Sequence, residues 1–406
     1  MENKRSKKFV MIYREAAKYL EDDAGTLRNR IYKNQKADVK HLKQVYALVC
    51  KTIEHRRCLT SVITASQILQ KERKLNMNIA QLMTFDLLIG SKRLNCGKCA
   101  EKDALLRHKV RLNGEFIKYK LKHPVIAEKQ EGPLVRWVRI RKDSQECASM
   151  LEKLGLSRTD KWEDVMKSQV FYEDVYVPQL FAIPMSIKVA ELPEYKSGEL
   201  IIQDRASCIP VTIMDPQPGK TYIDSCAAPG NKTSQLAAQS KHVIAFERDK
   251  KRAKTLQNML DRAKLLKKVE IRQMDFTQCD PFEVEGLIVD PSCSGSGIFR
   301  ATSVTPERLN SLADFQFHIV LHALKFDAKR VVYSTCSIHK EENEMVVKRL
   351  LETPEVAEKW KLGNALPNWP RRGFKEVFDG AEKCVRVNPK EDGGIGFFAA
   401  CFDRID

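Results

Sequence analysis

From about Lys196 onward the chain alternates short apolar segments with amphipathic ones, and this pattern constrains the fold more than any other feature. Strand-like segments occur at 221–224, 243–246, 269–273, 286–290 and 330–334, and helical patterns occur at Asn231–Gln239 and Lys250–Leu266. Strands that alternate with helices form a parallel sheet, and ligands bind at the carboxyl ends of its strands. The sequence therefore predicts an α/β domain with a mostly parallel sheet over residues 201–406.

The first part of the 406-residue chain has a different, helical pattern. Leu42, Val45 and Val49 recur at helical spacing, together with Tyr46 and Cys50, and no proline precedes Pro124. We therefore predict an all-α domain over 1–125. Within it, residues 93–130 are rich in lysine and weakly patterned, which favours a loop or a mobile connection.

A small α/β subdomain is predicted between these regions, over 126–200. Val135–Ile140 has the pattern of a strand in which basic and apolar residues alternate, and Ser144–Leu154 has the pattern of a helix. Further short strand-like segments follow. The tail, Gly394–Phe402, is predicted to be a strand of the larger sheet.

The positive charge of the chain is concentrated in its first third. The net charge is +17, and residues 1–130 hold 29 Lys and Arg against 13 Asp and Glu, a balance of +16. A one-sided basic region is typical of proteins that bind polyanions, because each phosphate contact releases counterions. A solvated helical surface would have the same composition, so charge alone leaves both interpretations open.

The residue pattern argues against several other classes. There is no apolar run of about 18 residues and no secretory signal pattern, so we expect no membrane association. On the reducing side of the cell, the twelve cysteines are expected to be thiols. Cys96-Gly-Lys-Cys99 has the spacing of half a zinc site, but no second Cys or His pair lies at a suitable distance, so we expect no metal.

The loop after the first strand of the βαβ region has the composition of a cofactor site. Asp224 to Thr233 reads DSCAAPGNKT, and its small residues allow a ligand to approach the backbone and the N–H groups of the next helix. It is not a P-loop, because Asn231 precedes Lys232, and it lacks the dinucleotide glycine pattern. Glu247 ends the second strand, where a carboxylate can bind ribose hydroxyls, and Asp275 ends the third, near an adenine edge. The loop, Glu247 and Asp275 follow three successive strands, and this order along the chain favours an adenosine-containing cofactor.

Two cysteines follow successive predicted strands. Cys293 lies in LIVDPSCSGSG, residues 287–297, and Cys336 lies in VVYSTCS, residues 331–337. Loop N–H groups and helix N-termini at such strand ends can lower the pKa of a thiol. Six other cysteines are expected to be inert core residues: Cys50, Cys58, Cys147, Cys208, Cys279 and Cys384.

These motifs resemble those of the Sun-domain RNA cytosine-C5 methyltransferases. The resemblance rests on the two cysteine motifs, the DSCAAPGNKT loop, the FERDKKR segment after the second strand and the terminal Gly394-Ile-Gly-Phe-Phe, and it spans about residues 130–406. The common family pattern has Asp-Ala-Pro-Cys and Pro-Gly-Gly-Lys, whereas this chain has Asp290-Pro-Ser-Cys293 and Pro229-Gly-Asn-Lys232. Those departures resemble the motifs of one subfamily. Its members methylate a cytosine in large-subunit ribosomal RNA and reside in the nucleolus of the nucleus.

The chemistry of that family requires a thiolate. Carbon 5 of cytosine is a poor nucleophile until a thiolate adds to carbon 6, and a second group then helps to remove the carbon-5 proton and expel the thiolate. Protonation or hydrogen bonding at N3 stabilises the adduct, a task suited to Asp290. The resemblance implies that Cys336 is the nucleophile and that Cys293 assists product release.

The resemblance also implies a cofactor and partners. The cofactor would be S-adenosyl-L-methionine, and its contacts would fall on Cys226, Ala227, Ala228, Pro229, Gly230, Asn231, Lys232, Glu247, Arg252, Asp275 and Asp290. The expected fold is a Rossmann-like class I methyltransferase domain preceded by an RNA-recognition-like subdomain and a NusB-like RNA-binding domain. RNA, as rRNA or a pre-ribosomal particle, would be the partner, with the target cytosine turned out of its stack. The resemblance leaves the oligomeric state open, and we expect a monomer.

Two other functions are compatible with parts of the pattern. A ribosome-assembly scaffold could keep the methyltransferase fold and bind rRNA without turnover, although the intact cysteine pair, Asp290 and Lys232 argue against it. A DNA cytosine methyltransferase would carry its nucleophile in the Pro-Cys motif of the earlier strand, whereas here Cys336 follows the later one.

Overall fold

The structure is a computed structural model that describes residues 12–20, 27–32, 39–94, 96–122, 134–298 and 304–405. The chain divides into two compact units, Met1–Lys129 and Gln130–Asp406. The predicted domain boundary at 125 lies outside the described residues. Across the described ranges, no helix is both long enough and apolar enough to span a membrane.

The first unit is helical, as predicted. Its helices are α1 (residues 12–17), α2 (Leu27–Tyr32), α3 (Val39–Glu54), α4 (Arg56–Ser66), α5 (Ile68–Lys71), α6 (Met77–Leu88), α7 (Ala100–Arg107) and α8 (Lys109–Lys122). Leu42, Val45 and Val49 are buried on one face of α3, and Val62 and Ile63 of α4 join the same core. The helical spacing of these apolar residues therefore does reflect a buried face.

The interpretation of 93–130 as a loop is wrong for most of its length. Helices α7 and α8 occupy 100–107 and 109–122, while 123–130 lie outside the described residues. Leu105, Leu112 and Phe116 are buried in the core of the unit. They form an apolar stripe too narrow to stand out among the surrounding lysines and arginines, and the packing of this stripe stabilises the helices.

The second unit contains two sheets. Its strands are β1 (Arg136–Ile140), β2 (Ser157–Thr159), β3 (Val170–Glu173), β4 (Leu180–Ile183), β5 (Leu200–Ile202), β6 (Thr221–Asp224), β7 (His242–Phe246), β8 (Val269–Arg272), β9 (Gly286–Val289), β10 (Arg330–Thr335), β11 (Trp360–Gly363), β12 (Val385–Val387) and β13 (Phe397–Arg404). Its helices are α9 (Ser144–Lys153), α10 (Pro193–Ser197), α11 (Arg205–Met214), α12 (Asn231–Gln239), α13 (Lys250–Arg262), α14 (Pro306–Ala323), α15 (Glu344–Leu351), α16 (Pro354–Ala357) and α17 (Pro389–Asp392).

The small sheet has the order β2-β3-β4-β1-β5, with β1 antiparallel to both of its neighbours. Buried arginines join this sheet to the rest of the unit. Arg139 of β1 donates to Gln203 Oε1 at 3.0 Å and to Ser234 Oγ of α12 at 2.7 Å. Arg205 forms an ion pair with Asp174 at 2.5 Å, and both side chains are almost fully buried. The small sheet is thus fixed directly to the helix that follows the predicted cofactor loop.

The large sheet has the order β11-β13-β10-β9-β6-β7-β8, and β12 pairs with β13. Strands β8, β7, β6, β9 and β10 are parallel, and β13 is antiparallel to β10. The order reverses between β6 and β9, and in open parallel sheets the crevice at such a reversal is where ligands bind. Loops from β6, β9 and β10 meet there.

Most predicted element bounds in this unit agree with the structure, with two differences. The helix predicted over Lys250–Leu266 ends at Arg262, because Lys264 has a left-handed backbone (φ 54°) and a short 3-10 turn follows. The predicted tail strand at 394–402 begins at Phe397 and continues to Arg404. Both are shifts at the ends of elements, where local patterns are least informative.

Candidate active site

The turn between β6 and α12 is held by buried polar contacts. Asp224, at the end of β6, is 1% exposed and accepts a hydrogen bond from Thr233 Oγ1 at 2.7 Å. Burial raises the pKa of Asp224 to about 6. Gly230 precedes α12 with φ 114°, and a Cβ at that position would lie 2.9 Å from Leu256. Only glycine fits this turn without strain.

The rest of the predicted cofactor loop covers the carboxyl ends of β6 and β7. Ala227 and Ala228 are buried, Pro229 is exposed, and Cys226 and Asn231 are partly exposed. The backbone N–H of Ala227 donates to the carbonyl of the last residue of β7 at 2.9 Å. The loop therefore lies over the ends of β6 and β7, and the backbone N–H of Ser225, just after β6, donates to the carbonyl of Ile288 of β9 at 3.0 Å, next to the point where the strand order reverses.

The two predicted acidic residues have different partners. Glu247, directly after β7, is 6% exposed, and its Oε2 lies 3.3 Å from Arg252 Nη2. Arg252 also donates to the carbonyl of Ala228 at 2.7 Å, so it joins Glu247 to the loop. Asp275 instead pairs with Arg248 at 3.1 Å and caps a short 3-10 turn. Among the described contacts, Arg252 is the residue that contacts both Glu247 and the loop.

Lys232 and Asp290 form an ion pair within the crevice. Lys232 Nζ lies 2.7 Å from Asp290 Oδ2 and 3.2 Å from Ser207 Oγ. Ser334 Oγ of β10 donates to Asp290 Oδ1 at 2.7 Å. Burial alone would lower the pKa of Lys232, but Asp290, together with Asp224 and Cys336, outweighs this effect and raises it. The amine is therefore held as a cation next to the end of β9.

The two strand-end cysteines are adjacent. Cys293 Sγ lies 3.1 Å from Cys336 Sγ, and both residues are partly buried. The hydrogen bond from the Cys293 thiol lowers the pKa of Cys336, and the nearby Lys232 ammonium acts in the same direction. The same contact, together with burial, raises the pKa of Cys293. Burial and the Asp290 carboxylate act against the lowering at Cys336, which is still the more acidic of the two thiols.

A set of buried groups behind the cysteines was not identified from the sequence. The acidic run at 341–344 follows Cys336 by a few residues, and α15 begins at Glu344. However, Glu342 and Glu344 are both fully buried. Glu344 pairs with Arg386 at 2.6 Å, and Glu342 accepts hydrogen bonds from the loop that carries Cys293. The acidic composition of this run is also typical of an exposed first turn of a helix, so the sequence did not indicate that these two side chains are buried.

Several cysteines lie outside the cofactor loop and the Cys293–Cys336 pair. Cys58, Cys147, Cys208 and Cys384 are buried, and burial raises the pKa of each thiol. Cys50 and Cys279 are partly exposed. Cys96 is buried next to Cys99, and within the described ranges no group of three or more His, Cys, Asp or Glu side chains could hold a metal ion.

Solved structures share this fold. A methyltransferase homolog protein from Pyrococcus horikoshii superposes with a TM-score of 0.58 over 84% of this chain and 99% of its own, at 22% identity. NSun6 from the same organism, in a structure with SFG, has a TM-score of 0.54 over 72% of this chain and 95% of its own, at 18% identity. These similarities confirm the predicted Rossmann-like methyltransferase fold.

Sequence comparison identifies the family. Residues 211–403 match the profile of the 16S rRNA methyltransferases RsmB/F, and residues 43–131 match the N-terminal domain of NOL1/NOP2/Sun domain family member 5. The 25S rRNA (cytosine-C(5))-methyltransferase rcm1 of Schizosaccharomyces pombe is 38% identical, over 96% of this chain and 90% of its own. A 28S rRNA (cytosine-C(5))-methyltransferase of Mus musculus is 34% identical, over 97% of this chain and 91% of its own. The chain therefore belongs to the Sun-domain family of RNA cytosine-C5 methyltransferases.

Proposed function

We propose that this enzyme transfers a methyl group from S-adenosyl-L-methionine to carbon 5 of a cytosine in large-subunit rRNA. The observation that carries the proposal is the cysteine pair, with its sulfur atoms 3.1 Å apart and the pKa of Cys336 lowered. The substrate class is supported by relatives named as 25S and 28S rRNA (cytosine-C(5))-methyltransferases, which align along nearly the whole chain.

The residues of the crevice fit an adenosine-containing methyl donor. A carboxylate has about four lone-pair sites. Glu247 Oε1 accepts one hydrogen bond from the backbone N–H of Asp249 at 2.9 Å, and Oε2 faces Arg252, so sites remain for two ribose hydroxyls. The loop over 226–232 offers backbone N–H groups beside α12. When bound, the cofactor supplies an electrophilic methyl group on a sulfonium.

Cys336 would begin the reaction. Its thiolate forms a bond to carbon 6 of cytosine, and the displaced electron pair moves towards N3. The Lys232–Asp290 pair would supply the proton or hydrogen bond at N3, and the 2.7 Å contact of Lys232 Nζ with Asp290 Oδ2 supports this role. Carbon 5 thereby becomes nucleophilic enough to take up the methyl group.

Cys293 would end the reaction. Its high pKa is caused first by the hydrogen bond to Cys336 and then by burial. Once Cys336 is bonded to carbon 6 it carries no charge, so its contribution to the high pKa of Cys293 is removed. Cys293, which is partly exposed, would release its proton to solvent, and its thiolate would then take the carbon-5 proton while the C5–C6 double bond re-forms and Cys336 leaves as a thiolate. N3 would return its proton to the Lys232–Asp290 pair.

Methyl transfer to defined rRNA tests the proposal. Purified protein is incubated with S-adenosyl-L-methionine labelled on its methyl group and large-subunit rRNA transcripts or pre-ribosomal particles. We expect label in 5-methylcytosine at one site with wild type and none with Cys336→Ala. Binding of rRNA without any incorporation by the wild-type protein would instead support the scaffold. A nucleolar location for the tagged protein is the corresponding expectation in cells.

A further inference from the structure

Glu342 is a buried carboxylate whose hydrogen bonds go to the loop carrying Cys293. It is 0% exposed, and it ends the 3-10 turn Lys340–Glu342. Its Oε1 accepts from the backbone N–H of Ser294 at 2.8 Å, and its Oε2 accepts from Ser294 Oγ at 2.5 Å. Burying a carboxylate is costly unless it is hydrogen-bonded. Ser294, next to Cys293, supplies both of these bonds.

A second buried side chain extends the contact to the other side of Cys293. Gln316 of α14 is 0% exposed and donates to Glu342 Oε1 at 2.9 Å and to the carbonyl of Ser292 at 3.1 Å. These two acceptors fix the orientation of the Gln316 amide, and Tyr333 of β10 donates to the backbone carbonyl of Glu342 at 2.5 Å. The residues on both sides of Cys293 are therefore tied to Glu342, directly or through Gln316.

Three serine hydroxyls link the same loop to Cys336. Ser294 Oγ lies 3.1 Å from Ser296 Oγ and 3.2 Å from Ser337 Oγ, and the last two are 3.1 Å apart. Ser337 directly follows Cys336, and the backbone N–H of Gly297 donates to the carbonyl of Cys336 at 3.0 Å. These contacts hold the loops after β9 and β10 against each other.

We propose that Glu342 is a positioning residue that fixes the separation and orientation of the Cys293 and Cys336 thiols. It touches neither sulfur, and it acts through Ser294 and Gln316. The consequence for catalysis rests on the proposed function, because it assumes that Cys293 must lie beside the adduct formed by Cys336. A misplacement of about 1 Å can reduce the rate of an enzymatic step by on the order of a hundredfold.

Bridging of the two thiols by phenylarsine oxide tests the positioning directly, without RNA or cofactor. The arsenic forms one bond to each sulfur, and its oxygen leaves as water with the two thiol protons. In the full-length protein, peptide mass spectrometry separates the Cys293–Cys336 bridge from one at Cys96 and Cys99. We expect Glu342→Gln to slow formation of the Cys293–Cys336 bridge by about tenfold or more, through misplacement of one thiol.

Trapping of the covalent RNA adduct tests the consequence for catalysis. With cofactor and rRNA, we expect a larger fraction of Glu342→Gln than of wild type to remain bound to RNA on denaturing gels. The RNA-bound fraction of Cys293→Ala should be raised in the same way. If Cys293→Ala itself gives no adduct, the proposed division of labour fails, while the arsenical result still decides the role of Glu342. If Cys293→Ala gives adduct and Glu342→Gln releases it at the wild-type rate, the positioning role is overturned.

Glu344→Gln is the matched control, because Glu344 is equally buried but pairs with Arg386 and accepts from the backbone N–H of Phe374. It should lose a comparable amount of thermal stability and keep wild-type bridging and release. Ser294→Ala removes one hydroxyl and serves if Glu342→Gln does not fold, and it should slow bridging in the same direction. Equal slowing by Glu344→Gln would show a general effect of destabilisation and would contradict the inference.

Discussion

At the residue scale, the two thiols of the site have different acidities although only 3.1 Å separates them. Their hydrogen bond lowers the pKa of Cys336 and raises that of Cys293, so each thiol determines the protonation state of the other. The Lys232–Asp290 pair lies nearby, and its two charges act on the pKa of Cys336 in opposite directions: the Asp290 carboxylate raises it and the Lys232 ammonium lowers it. The two thiols therefore differ in acidity before any substrate binds.

Removing the Cys293 donor should raise the pKa of Cys336. A hydrogen bond to a charged group contributes roughly 1.5–3 kcal/mol, so losing it makes the Cys336 thiolate harder to form. In Cys293→Ala, the pH at which alkylation of Cys336 by iodoacetamide reaches half its maximal rate should therefore move upward. Mass spectrometry of the Cys336 peptide after timed alkylation at each pH measures this midpoint.

Cys293→Ser is the control for that measurement, because its hydroxyl can still donate a hydrogen bond to Cys336. Its midpoint should lie between those of wild type and Cys293→Ala. Coincident profiles for wild type and Cys293→Ala would mean that Cys293 does not stabilise the thiolate.

The adjacency of the two cysteines was predictable, whereas their support was not. Strand-end motifs in the sequence were enough to place Cys293 and Cys336 at the same edge of a parallel sheet. Glu342, by contrast, contacts Ser294 and Gln316 across long separations in sequence. Periodicity and spacing describe neighbours along one element and carry no information about such contacts.

At the element scale, the turn into α12 depends on Gly230. Any other residue would adopt the left-handed backbone at a cost of roughly 1–3 kcal/mol. Its Cβ would also lie 2.9 Å from Leu256 and 3.1 Å from Met259 of α13. Gly230→Ala should therefore lower the free energy of unfolding by at least that range and weaken binding of S-adenosyl-L-homocysteine, as measured by urea unfolding and calorimetry.

Gly219→Ala provides the comparison, because a Cβ there meets nothing within 4 Å and the backbone is not left-handed. A change within about 0.5 kcal/mol is expected for such an open position. If the two substitutions had equal effects, the constraint assigned to Gly230 would be wrong.

The elements differed in how well the sequence predicted them. β6 and α12 were predicted with their observed bounds, Thr221–Asp224 and Asn231–Gln239, because a buried apolar strand followed by small residues is a strong local signal. α8 was missed because two buried residues, Leu112 and Phe116, hold a helix that is otherwise basic and polar. Its stability comes from packing in the first unit rather than from local preference.

At the scale of the whole molecule, the excess positive charge of residues 1–130 suits an RNA substrate. Arg111, Lys120 and Lys122 of α8 are exposed. Replacing these three residues with Gln should weaken RNA binding. It should also reduce the steepness with which the logarithm of the RNA association constant falls with the logarithm of salt concentration. The reduction is about 0.7 for each lost contact to single-stranded phosphate and about 0.9 for each lost duplex contact. Fluorescence anisotropy over a salt series measures both quantities.

Lys325, Lys359 and Lys361 are exposed near the amino ends of β10 and β11, which lie at the opposite edge of the sheet from the cysteines. Replacing this trio with Gln changes the net charge equally and should leave the slope closer to that of wild type. Equal losses from both trios would show that binding follows total charge and not the basic first unit.

Trapping of the protein–RNA adduct in the two cysteine variants tests the central claim most directly. Each variant is incubated with S-adenosyl-L-methionine and rRNA, denatured, and resolved on a gel that separates free from RNA-bound protein. We expect Cys293→Ala to accumulate a covalent adduct and Cys336→Ala to form none. An adduct in Cys336→Ala and none in Cys293→Ala would contradict the assignment of attack to Cys336 and release to Cys293.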